Sequence, residues 1–221
     1  MTETNIDALW PLVWQASYET LYMVAITLTV GGVLGLLLGL ALYVTRRGGL
    51  YASRPAHAVL NVLVNFFRPI PFVIFIAAVQ PVARVVVGTG IGNPAIVFAL
   101  TIAAMFGISR IVEQNLVTID PGVIEAARSV GASRARIVRT VVIPEALGPL
   151  VLGYTFVFVA IVDMTAIAGV IGGGGLGNFA LQYGFRQFDT VVTWTAVIII
   201  VAIVQVGQIA GNTLARRVLR R

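Results

Sequence analysis

The chain has 221 residues, 58% of them hydrophobic and only 11% charged, with a net charge of +6. A soluble domain carries roughly 25% charged residues, so this composition describes an integral membrane protein. With no Cys, one His and fifteen basic residues that are all Arg, the chain lacks disulfides, thiolate metal sites, cysteine or lysine nucleophiles and a Walker A lysine, which excludes a P-loop ATPase on its own.

Residues 1–18 include Glu3 and Asp7 but no basic residue, unlike a signal-peptide n-region, and read as a short extracytoplasmic lead. Trp10, Trp14 and Tyr18 in that lead read as interfacial anchors. The first predicted span, residues 21–44, is free of charge and long enough for a core of roughly 30 Å. Its Gly31, Gly35 and Gly39 recur every four residues, which predicts close packing against a neighbouring helix. Arg46, Arg47 and Arg54 follow as a basic loop, and His57 has no second ligand nearby to suggest a metal.

The second span, residues 58–79, is interrupted by Arg68, Pro69 and Pro71, so a straight helix is not expected there. Arg68 reads either as a snorkelling side chain beside a kink or as a charge beside a transport path. Residues 80–93, with Arg84 and a Gly-rich end, read as an outer loop. The third span, residues 94–112, ends at Arg110 and Glu113, spaced to pair on one helical face. The fourth, residues 147–171, carries Asp163 deep inside, and the fifth, residues 191–211, is followed by Arg216, Arg217, Arg220 and Arg221.

Five spans put the termini on opposite sides. With the N-terminus outside and the C-terminus inside, the cytoplasmic segments hold eleven arginines against two, Arg84 and Arg186, outside. That is a strong positive-inside bias, and membrane topology is a simpler cause of the basic charge than nucleic-acid binding.

Residues 120–144 are the one long polar interruption. Asp120 followed by Pro121 is a helix start, and Gly131 offers a left-handed helix end. Ser133 then caps a second helix with Arg134, Arg136 and Arg139 on one side and Ile137, Val138, Val141 and Val142 on the other, until Pro144 breaks it. These features alone equally fit an amphipathic loop lying on the membrane surface.

The spelling goes further. Glu125, Ala126, Ala127, three residues, Gly131, nine residues and Val141-Val142-Ile143-Pro144 resemble the EAA loop of ABC importer permeases, with two conservative departures at the aliphatic positions. In that family the loop is the coupling helix docked into a separate ATP-hydrolysing subunit, which implies contact roles for Glu125, Ala126, Ala127, Gly131, Arg134 and Pro144. Asn65 to Pro71, Arg84 to Gly92 and Gln182 to Phe188 extend the resemblance over nearly the whole chain, and together these segments look most like the methionine-uptake branch. The resemblance implies an all-α, type I importer permease fold of five spans in a single domain over residues 1–221. It also implies a homodimer, a cytoplasmic ABC ATPase dimer, an extracytoplasmic substrate-binding protein and residence in the bacterial cytoplasmic membrane. No cofactor is expected on this chain, and no bond chemistry.

Two features remain. Residues 172–177, GGGGLG, match a dinucleotide fingerprint in letters but lack the preceding strand and βαβ unit, so they read as a turn permitting close packing. Asp163 stands where the methionine branch leads one to expect a small or uncharged residue, and a carboxylate in a span costs roughly 2.5–3.5 kcal/mol unless it is paired or hydrated. One reading has Asp163, with Met164 and Thr165, face the translocation path and meet a substrate ammonium; another pairs it with an arginine such as Arg68, or with a second Asp163 across a dimer axis. Rival functions are a permease for another amino acid or a quaternary amine, and an ion- or proton-coupled secondary transporter using Asp163.

Overall fold

The structure, a computed structural model, describes residues 6–219. Glu3 of the lead and Arg220 and Arg221 of the basic C-terminus lie outside them. Among the described residues all regular structure is helical: α1 (Ile6–Ile26), α2 (Gly32–Thr45), α3 (Arg54–Phe67), α4 (Phe72–Val86), α5 (Gly92–Val117), α6 (Pro121–Ser129), α7 (Arg134–Ile137), α8 (Ile143–Ala168), α9 (Gly175–Phe179) and α10 (Thr190–Leu219).

Helix α1 passes through a π-helical turn, Thr27–Gly31, straight into α2, so that Leu9–Thr45 is one apolar rod of 37 residues. At 1.5 Å per residue it is about 55 Å long, well beyond the hydrocarbon core. The described part of the expected extracytoplasmic lead, from Ile6 on, is therefore helical, an extension of the first span. Its aromatics form an exposed ladder, with Trp10 edge-on to Trp14 and Tyr18 stacked on Tyr22.

The glycine stripe does what its spacing predicts. A Cβ at Gly31 would stand 2.9 Å from the Thr101 carbonyl oxygen, one at Gly35 2.7 Å from Ile108, and one at Gly39 would collide with the Ser109 carbonyl. Helices α2 and α5 thus approach backbone to backbone, the mode by which helices associate where lipid removes the hydrophobic drive. On α10, Gly207 and Gly211 receive Phe158 and Thr155 of α8 in the same way, a contact the sequence reading missed.

The second span is broken, as the prolines require, but more sharply than a kink: α3 and α4 meet at 112°. Pro71 takes an extended conformation at the head of α4, and neither Pro69 nor Pro71 has an N–H to carry the helix through. Helix α4 runs on to Val86, so the expected outer loop is half helical and the connection shrinks to the Gly88–Gly92 turn.

The expected break at Pro144 is absent. α7, a π-helical turn over Val138–Val142, and α8 form one apolar rod, Arg134–Ala168, of 35 residues. Pro144 sits in the first turn of α8, where its missing donor costs little, and the wider π turn before it relieves the clash between a proline ring and the carbonyl four residues back. Four helices are long and apolar enough to cross a membrane, five with the bent pair taken as one span. Many large apolar side chains are exposed, among them Ile198, Val201, Val206 and Ile209 along α10, as expected of a surface whose solvent is lipid.

Candidate functional site

The polar hairpin folds as its letters direct. The Asp120 carboxylate accepts from the Gly122 N–H at 2.8 Å, Pro121 opens α6, and the Ser133 hydroxyl accepts from the Arg136 N–H. Between the two helices Gly131 has φ +78°, a left-handed conformation with nothing nearby to hinder a side chain, so backbone strain alone selects glycine. The Gly131 N–H donates to Arg128 O and the Ala132 N–H to Ala127 O, closing the helix end.

The two sides of the hairpin differ. Ile137 and Val142 are fully buried, and with Ile124, Ala127, Ala132, Val138 and Val141 they enter the main apolar core beside Leu50, Leu116, Ile119 and Leu150. Glu125, Ala126, Arg128 and Arg134 are exposed. So is Val130, at 82%, a large apolar residue beside Gly131 that the sequence reading did not single out. Arg134 places its guanidinium 5.6 Å from the centre of the Tyr51 ring, a cation–π contact tying the hairpin to the α2–α3 loop. A cleft of about 90 Å³ between the same loop and α6 is lined by Tyr43, Arg46, Ile124, Glu125 and Arg128.

Charges within the spans fall into two groups. Arg110 pairs with Glu113 at 2.5 Å, as its spacing predicts, and its other terminal nitrogen donates to the Asn61 and Asn65 side-chain oxygens. This cluster, buried at Glu113 and open at Asn65, joins α5 to α3; the two asparagines sit one turn apart on one face of α3, a signal legible in the sequence but not taken up. The side chains of Arg68 and Asp163, by contrast, are exposed, and no ion pair or side-chain hydrogen bond joins either to a described residue. The intrachain Asp163–Arg68 pair considered above is therefore not formed.

Asp163 is five residues from the last residue of α8, about 7.5 Å from that helix end. Met164 is half-buried, and Thr165 points the other way, buried and bonded to the Val162 carbonyl at 2.6 Å. The expected trio does not share a face.

At the same end of α8 the glycine run forms a tightly held turn. The N–H groups of Gly174, Gly175 and Leu176 donate to Asn93, Glu19 and Thr20 at 2.7–2.9 Å. A Cβ at Gly174 would overlap the Glu19 carboxylate and one at Gly177 the Ala166 backbone, so the run serves close packing. No group of three or more His, Cys, Asp or Glu side chains suited to a metal occurs among the described residues.

A helical membrane domain with an exposed, glycine-hinged hairpin is the architecture of a transport permease, and residues 31–220 match the model of the family described as binding-protein-dependent transport system inner membrane component. The chain belongs to this family. It is 40% identical over 210 residues to the probable D-methionine transport system permease protein MetI of Vibrio cholerae, covering 95% of this chain and 93% of that one. The methionine import system permease protein MetP of Bacillus subtilis is likewise 40% identical, with 94% of each chain covered. Among solved structures, the fold matches an inward-facing MetNI methionine ABC transporter at TM-score 0.92, 38% identity and 99% coverage of both chains. It also matches an amino acid ABC transporter with histidines at TM-score 0.74, 25% identity and full coverage of both.

Proposed function

We propose that this chain is the membrane permease subunit of an ATP-driven importer of methionine. The observation that carries the reading is the end-to-end similarity to methionine permeases in both sequence and fold. The chain works as a homodimer, with a cytoplasmic ABC ATPase dimer below and an extracytoplasmic substrate-binding protein above, in the bacterial cytoplasmic membrane. The arginine distribution supports an outer N-terminus and an inner C-terminus and hairpin. ATP hydrolysis belongs to the partner, and this chain contributes two helix arrangements of differing stability that the partner biases.

The hairpin is the coupling element. Glu125 anchors the partner, Ala126 and the exposed Val130 offer a small and an apolar contact, and Gly131 and Pro144 set the geometry. Arg134 and Ala127 hold the hairpin to the permease core. A push on α6 passes the Gly131 turn and then runs along a single rod, Arg134–Ala168, about 50 Å long, that ends at the glycine turn. A secondary transporter would leave this exposed hairpin without a purpose.

The test is ATPase activity and methionine uptake of the chain reconstituted with its ATPase and binding protein, for wild type, Glu125→Arg and Gly131→Pro. Both variants are expected to insert and dimerise, yet to lose coupled uptake by at least tenfold. Uptake that persists without ATP would overturn the reading.

A further inference from the structure

The cleft between α6 and the α2–α3 loop gathers charges that the chain leaves unmatched. Arg46, Glu125 and Arg128 all line it, and none of the three takes part in an ion pair among the described residues. Two guanidinium groups against one carboxylate leave a surplus of positive charge around a space of about 90 Å³. Arg46 is held there by a cation–π contact, its guanidinium 4.3 Å from the centre of the Tyr43 ring at the end of α2.

Tyr43 itself lines the cleft and is only 2% exposed. Its hydroxyl is buried and has no hydrogen-bond partner. Folded chains leave few buried hydroxyls unsatisfied, so this donor calls for an acceptor from outside the protomer. A phenolic O–H and two guanidinium groups are together met by an anion with several acceptor oxygens.

The rest of the lining narrows the choice of anion. Leu50, Ile119 and Ile124 make part of the wall apolar, which suits a carboxylate carried on a methylene stem better than a bare inorganic ion. The space is too small for a phospholipid headgroup. Glu125 and Arg128 are exposed on α6, so the cleft reaches the face that the importer reading gives to the ATPase. Glu125 opposes a second carboxylate, and the two guanidinium groups outweigh that one repulsion.

We propose that this cleft is a socket for an acidic side chain of the ATPase subunit, with Tyr43 donating to the carboxylate and Arg46 and Arg128 neutralising it. The socket rests on the importer reading and deepens it. Tyr43 belongs to the Leu9–Thr45 rod and Arg128 to the hairpin, so a side chain seated between them loads both at once, which a contact at Glu125 alone does not do.

The experiment is titration of the ATPase subunit onto the permease dimer in lipid nanodiscs, for wild type, Tyr43→Phe, Arg46→Gln and Arg128→Gln, with the Tm of each permease taken alone. Each variant is expected to bind roughly fivefold more weakly or worse. Tyr43→Phe is expected to keep or raise the permease's own Tm, because its hydroxyl has no partner in the chain to lose. In the Arg128→Glu background, replacing the ATPase's acidic residues with Arg one at a time is expected to recover binding about tenfold at one position. Tyr43→Phe that binds like wild type overturns the proposal, since the hydroxyl is then idle; so does a lowered Tm, since the hydroxyl is then bonded within the permease. Failure of every ATPase substitution to rescue Arg128→Glu overturns it as well, because water or a free ion then fills the cleft. ATP-driven methionine uptake by the complete wild-type system is measured alongside: uptake with unchanged binding by the variants removes the socket alone, and no uptake removes the importer reading on which it rests.

Discussion

The two groups of charge inside the spans differ in what surrounds them. Arg110 and Glu113 are mostly buried, bonded to each other and, through Asn61 and Asn65, to the neighbouring helix. Arg68 and Asp163 are exposed, and neither pairs with a described residue. A charge held in a low-dielectric region by several hydrogen bonds joins helices, and removing one member leaves the others stranded. A charge that the protomer leaves uncompensated is available to something else, whether water, another chain or a substrate. The contrast separates a clamp from two charges that the protomer leaves open.

The comparison breaks if the clamp is dispensable. Arg110→Leu, which leaves the Glu113 carboxylate buried alone, is expected to destabilise the purified protein by about 3–5 kcal/mol, read as a large drop in Tm and in folded yield. Adding Glu113→Leu is expected to recover much of that loss, because no unpaired charge then remains. Asn65→Ala removes one exposed hydrogen bond to the guanidinium, with an expected loss of about 0.5–1.5 kcal/mol by the same melting assay. The smallest effect sharpens the contrast from the other side: Asp163→Asn and Arg68→Gln are expected to change stability by no more than about 0.5 kcal/mol, as for substitutions away from buried networks. A Tm drop at either position comparable to that of Arg110→Leu would make all four charges structural.

The hairpin and the rod it feeds show how far local chemistry reads through. Asp120, Pro121, Gly131 and Ser133 each act where their own backbone preferences put them, because caps and left-handed turns are decided within four or five residues. Pro144 misled for a matching reason. A proline's effect depends on the turn before it, and the π turn at Val138–Val142 is not written in any residue type. The broken second span repeats the pattern: the prolines announced a break, whereas its 112° angle follows from how α4 packs on α5.

The amino-acid order by itself determined that the chain is a helical membrane protein, where each span lies though not how far its helix extends, that Gly31, Gly35 and Gly39 face another helix, and that a capped, glycine-hinged hairpin interrupts the spans. These follow from composition, from periodicity and from local backbone chemistry, none of which needs a distant partner. Only the tertiary structure decided that Thr165 turns inward while Asp163 turns out, that Arg110 reaches Asn61 and Asn65, that Val130 is exposed, and that the second helix of the hairpin and α8 are one continuous rod. In a membrane span nearly every residue is apolar, so hydrophobicity no longer distinguishes the packed face from the free one. Which face of a helix is covered then depends on close steric fit between helices far apart in the chain.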